Sequence, residues 1–74
     1  MTRVQITDTT VAQLAELLES GQLDEPTNWM GAQFLAQDFG FDELATFVFE
    51  ADAATYYEAL ERAADRADAD VPLP

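Results

Sequence analysis

The chain contains no cysteine and no histidine. Seventy-four residues with neither have no disulfide and no zinc site to staple a small fold together. A domain of this size buries only about 60% of the surface its unfolded chain exposes. Its stability must therefore come from apolar packing, within the chain or against another one. The material for that is 23 residues of the types Val, Ile, Leu, Met, Phe, Trp and Tyr, helped by 13 alanines. The same two absences remove haem ligation, thiol nucleophiles and imidazole acid–base chemistry.

Apolar spacing predicts where the chain is helical. Thr10 followed by Gln13 fits a capping box. Val11, Leu14, Ala15 and Leu18 then form one helical stripe with Leu17 beside it, and Ser20-Gly21 is a natural end. A helix is expected over residues 10–20, followed by a loop over 21–27. Trp29, Ala32, Leu35, Ala36 and Phe39 recur at three- and four-residue spacing, widened by Met30 and Phe34, and Gly40 suits the position after a helix. That predicts a second helix over 27–39, capped by Thr27 or Asp24, in which Gly31 would permit a close crossing. Asp52 can cap a last helix over 53–68, whose stripe runs through Ala53, Tyr57, Leu60, Ala64 and Ala67. Glu58 and Arg62 are spaced for an i,i+4 ion pair, and Pro72 forbids the helix from continuing.

Residues 41–51 are the ambiguous stretch. Phe41, Leu44, Ala45 and Val48 make a helical stripe behind Asp42 as a cap, but Thr46-Phe47-Val48-Phe49 is the strongest β-propensity run in the chain. Residues 3–7 alternate polar and β-branched types, so a strand over 45–50 could pair with them. A lone two-stranded element is marginal, which favours helix. The expected fold is mainly α: one helical domain over residues 1–70 with three or four short helices, a minor two-stranded element (3–7 with 45–50) as the alternative, and a short tail over 71–74.

Charge narrows the partners. Fifteen Asp and Glu face three arginines and no lysine, for a net charge of -12. Nucleic-acid binding displaces counterions with Lys and Arg, and here only Arg3, Arg62 and Arg66 are on offer, the last two set among Glu58, Glu61, Asp65 and Asp68. Direct binding of DNA or RNA, or of an anionic membrane surface, is not expected. No apolar run approaches the ~20 residues that span a bilayer, and the first ten residues are too polar for a signal sequence. The expected location is the cytoplasm or a larger assembly such as a virus particle. Acidity without lysine also fits a salt-adapted or GC-rich host.

Site chemistry is sparse. One serine, seven threonines, Tyr56, Tyr57 and the carboxylates are the whole catalytic stock, and no spacing singles out a pair. The three glycines are too far apart for a phosphate loop. Asp38, Asp42 and Glu43 flank Gly40 and could touch a divalent cation, but caps and solvated surface explain them as well. No catalytic residue, cofactor site or metal site is assigned, and an enzyme is not expected.

The aromatic residues all fall between 29 and 57, and adjacent ones cannot all point inward from helices. Trp29, Phe47, Phe49, Tyr56 and Tyr57 are therefore the candidate partner-binding residues, Trp and Tyr being enriched at interfaces. The function expected is a non-enzymatic protein-interaction or structural subunit that self-associates or binds a protein partner. The alternative is an acidic inhibitor that occupies a basic groove in place of nucleic acid.

Overall fold

The computed structural model describes residues 5–23 and 28–68. Four helices follow one another: α1 (Asp8–Ser20), α2 (Trp29–Asp38), α3 (Asp42–Glu50) and α4 (Ala53–Ala67), and no strand occurs among the described residues. α1 packs mainly on α4, α2 mainly on α3, and α1 also touches both α2 and α3. The core is built from Leu14 and Leu17 of α1, Ala32 and Ala36 of α2, Leu44, Phe47 and Val48 of α3, and Tyr56, Ala59, Leu60 and Ala63 of α4. The mainly α expectation holds. The proposed tail over 71–74 lies outside the described residues, as do residues 3–4 of the proposed strand and the proposed caps Asp24 and Thr27.

Residues 45–50 lie within α3, so the strand alternative fails there. The reason is which side chains can be buried together. As a helix, Leu44, Phe47 and Val48 share the inner face, and all three are buried. A strand would have placed Phe47 and Phe49 on one face and Val48 on the other. The helix separates them, leaving Phe47 3% exposed and Phe49 73% exposed.

Local chemistry sets the helix ends. Thr7 rather than Thr10 caps α1: its Oγ1 accepts from the Thr10 amide at 3.1 Å, which frees Thr10 to be buried one turn in. The Thr7 hydroxyl donates to Glu43 at 2.5 Å and ties the start of α1 to α3. Gln13 does not complete a capping box. Its Oε1 crosses to α3 and accepts from the Leu44 amide at 3.1 Å, serving a helix whose own N-cap, Phe41, has no acceptor. Asn28 caps α2, one position later than expected, accepting from the Gly31 amide at 3.4 Å. α2 ends in a Schellman turn: Phe41 N–H donates to Ala36 O at 2.8 Å and Gly40 N–H to Gln37 O at 3.1 Å, with Gly40 at φ 75°. Asp52 caps α4 as expected, accepting from the Thr55 amide at 2.8 Å.

Two faces differ from the spacing argument. On α4 Leu60 and Ala64 of the expected stripe are buried, but the buried face extends through Tyr56, Ala59 and Ala63 instead, so Tyr57 and Ala67 sit at its edge and Ala53 is exposed. Ala59 and Ala63 are fully buried on the helix against which α1 mainly packs. On α2 only Ala32 and Ala36 are buried, Leu35 is half-buried, and the large residues of the expected stripe and its flank are at the surface. Nor does Gly31 serve a close crossing: a Cβ there would meet only the Asn28 side chain, at 3.7 Å.

Candidate interaction surface

α2 presents its apolar side chains to solvent because small residues already fill its inner face. Ala32 and Ala36, one turn apart, point at α3 and α1. Met30 and Phe34, also one turn apart, point the opposite way and are 50% and 60% exposed. Trp29, at the first turn, is 45% exposed. It reaches toward the end of α3, where Trp29 and Phe49 line one cleft of about 260 Å³ together with Val48, Ala51 and the edge of Tyr56. On the other flank of α2, Gly31, Phe34, Leu35 and Asp38 line a second cleft of about 400 Å³ with Leu23. Phe39, at the C-terminal end, is partly exposed and packs its ring 5.5 Å from that of Phe41.

The five aromatic candidates divide accordingly. Trp29 and Phe49 are surface residues that share a cleft. Tyr56 is 1% exposed, so its role is in the core, and it contributes only a wall to that cleft. Burial raises the Tyr56 hydroxyl well above the ordinary tyrosine range, with a smaller push from the neighbouring Tyr57. Tyr57 is half-buried with its ring 6.0 Å from that of Tyr56. Phe47 is core as well, and it lines a separate cleft rimmed by Asp42, Glu43 and Glu50. In each adjacent pair one ring is buried and the other is not, as helical geometry requires.

Spacing sets Met30 and Phe34 beside the apolar stripe of the second helix as its widening, and the structure turns them outward. A signal for this is present in the chain. From Pro26 to Gln37 there is no charged residue, the longest such run in a sequence with 15 carboxylates. Among the described residues the other helices are studded: α1 carries Asp8, Glu16 and Glu19, α3 carries Asp42, Glu43 and Glu50, and α4 carries Glu58, Glu61 and Asp65. Four of the five large apolar side chains exposed among the described residues, Trp29, Met30, Phe34 and Phe39, lie in or next to this uncharged run, and Phe49 on α3 is the exception.

Among the described residues no group of three acidic side chains is placed to hold a metal ion, and Glu43 is engaged by Thr7. On α4, Arg62 pairs with Glu58 at 2.8 Å across one turn, as the spacing predicted, with both side chains near half-exposed. Every buried side-chain oxygen and nitrogen among the described residues has a hydrogen-bond partner, so none is left directed at a missing ligand. No described helix is long and apolar enough to cross a membrane. Comparison with protein-family models, with curated proteins and with solved structures finds no match for this chain.

Proposed function

We propose that the chain is a non-enzymatic interaction subunit that docks another protein surface through the outward face of α2 and the adjoining Trp29–Phe49 cleft. One observation carries the reading. Trp29, Met30, Phe34 and Phe49 are all about half exposed or more, on and beside the one helix that is nearly free of charge. Trp29 and Phe49 share a cleft and Met30 and Phe34 stand one turn apart, and exposed apolar side chains gathered in this way mark an interaction surface where scattered single residues do not. Burying these side chains supplies affinity that salt does not screen.

The inhibitor alternative would use the outer face of α4, with Glu58, Glu61 and Asp65. Arg62 and Arg66 lie on that same face, and Arg62 is paired with Glu58, so the row of negative charge is broken where a phosphate mimic needs it continuous. A photo-crosslinking residue at position 34 or at position 61, used in extract of the cells that make the protein, separates the two. The docking reading expects adducts from position 34 that persist between low salt and about 1 M salt, where the screening length falls to roughly 3 Å. Adducts formed only from position 61 and lost in high salt replace it with the inhibitor reading. Adducts from neither position refute the docking reading.

A further inference from the structure

We propose that the occupant of the α2 face is a second copy of this chain, with the two α2 helices packed antiparallel about a two-fold axis near Phe34. The proposal rests on the docking reading above and commits it to one partner. Two observations on charge point to it.

The first is where like charges would meet. Two copies each at -12 repel strongly, and opposed like charges at a contact are costly. An isologous contact through the exposed face of α1, α3 or α4 brings carboxylates of the two copies together, because each of those helices carries three. α2 carries Asp38 alone, in its last turn, and residues 29–37 are uncharged. It is the described helix through which this chain can meet itself with the least like-charge opposition.

The second concerns direction. Asp38 stands at the negative end of its own helix dipole, no basic residue shares that last turn, and no acidic residue occupies the first turn. Within one copy the helix is charged at the unfavourable end. An antiparallel pair corrects this twice, since each Asp38 lies beside the positive first turn of the other copy's α2. A parallel pair would set the two Asp38 carboxylates side by side. In the antiparallel register Met30 of one copy faces Gln37 of the other, and Phe34 meets its counterpart near the axis.

Sedimentation equilibrium of the purified protein in about 1 M salt tests this, over loadings from about 1 µM to 1 mM. The expected result is a monomer–dimer equilibrium. Phe34→Asp, on an outward face and checked for unchanged helix content, should weaken the dimer roughly tenfold or more. Asp38→Lys, compared with the parent in about 0.1 M salt where the attraction to the helix dipole is not screened out, should also weaken the dimer while leaving the monomer's melting temperature unchanged or higher, which a merely damaged fold would not do. Direction is read with cysteines, which the chain otherwise lacks. Met30→Cys mixed with Gln37→Cys should form the hetero-disulfide in preference to Met30→Cys alone, whose two positions sit roughly 10 Å apart along the antiparallel seam at 1.5 Å per residue. A monomer throughout, a dimer indifferent to Phe34→Asp, or faster self-crosslinking of Met30→Cys overturns the proposal. If the monomer result comes with position-34 adducts to a foreign protein, the docking reading survives and the second copy does not.

Discussion

Gln13→Ala removes an acceptor that one helix lends to another, and its cost follows from the geometry. The Gln13 Oε1 accepts from the Leu44 amide at 3.1 Å. Leu44 is fully buried, and the residue before α3, Phe41, caps nothing with its side chain. Losing a first-turn cap costs about 0.5–2 kcal/mol. Leaving a buried donor unsatisfied costs about 1–3 kcal/mol. Alanine recovers a few tenths as the better helix former. The net expectation is a loss of about 1–2 kcal/mol from a domain whose whole stability should be about 4–11 kcal/mol at 0.05–0.15 per residue. Melting should fall by about 5–15 °C at the 4–8 °C per kcal/mol usual for this size. Urea unfolding followed by far-ultraviolet dichroism gives the free energy, with Gln37→Ala on the exposed side of α2 as a control expected within about 0.5 kcal/mol of the parent. Amide exchange gives the location, because protection should fall first at Leu44. A Gln13→Ala midpoint equal to that of the control, or unchanged exchange at Leu44, refutes the view that α1 caps α3.

Three further substitutions test other parts of the description. Gly31→Ala should raise stability by about 0.5–1 kcal/mol, because the added Cβ meets nothing closer than 3.7 Å and glycine is the poorer helix former; a loss in urea unfolding would mean that Gly31 serves a close contact after all. Asp68→Gly should stabilise by a few tenths to about 1 kcal/mol, since Asp68 holds φ 55° and places a negative charge at the C-terminal end of α4; an unchanged melting temperature in calorimetry would count against strain there. Tyr56 keeps its proton in the folded protein at a pH where the unfolded chain, with its ordinary value of 10.0, loses it. Its contribution is therefore full below pH 10 and declines above it, by up to about 1.4 kcal/mol per pH unit. Tyr56→Phe should flatten the pH dependence of stability above pH 10 whatever it does to the absolute value, and an equally steep decline in the variant would assign the alkaline loss to other groups.

Much of this architecture could be read from the order of residues, and the part that could not has one cause. Helix existence is local. The three- and four-residue spacing, Asp52 as a cap, and Gly21 and Gly40 at φ 75° all act within a few residues of themselves, so they appear in the chain as they do in the fold. The Glu58–Arg62 pair is local in the same way. The face each helix buries is not local. Spacing gave α2 one apolar stripe of Trp29, Ala32, Leu35, Ala36 and Phe39 widened by Met30 and Phe34, and packing against α3 and α1 fully buried only its two alanines. That choice turned Met30 and Phe34 outward and made a surface where a core was expected. On α3 the choice between helix and strand rested on whether Leu44, Phe47 and Val48 could be buried together, which depends on α1 and α2 standing opposite them. The Leu44 amide found its acceptor 31 residues away, in a glutamine whose local pattern pointed to its own helix. Periodicity states which residues can share a face. The neighbouring helices decide which face is covered, and so which residues are left to meet another protein.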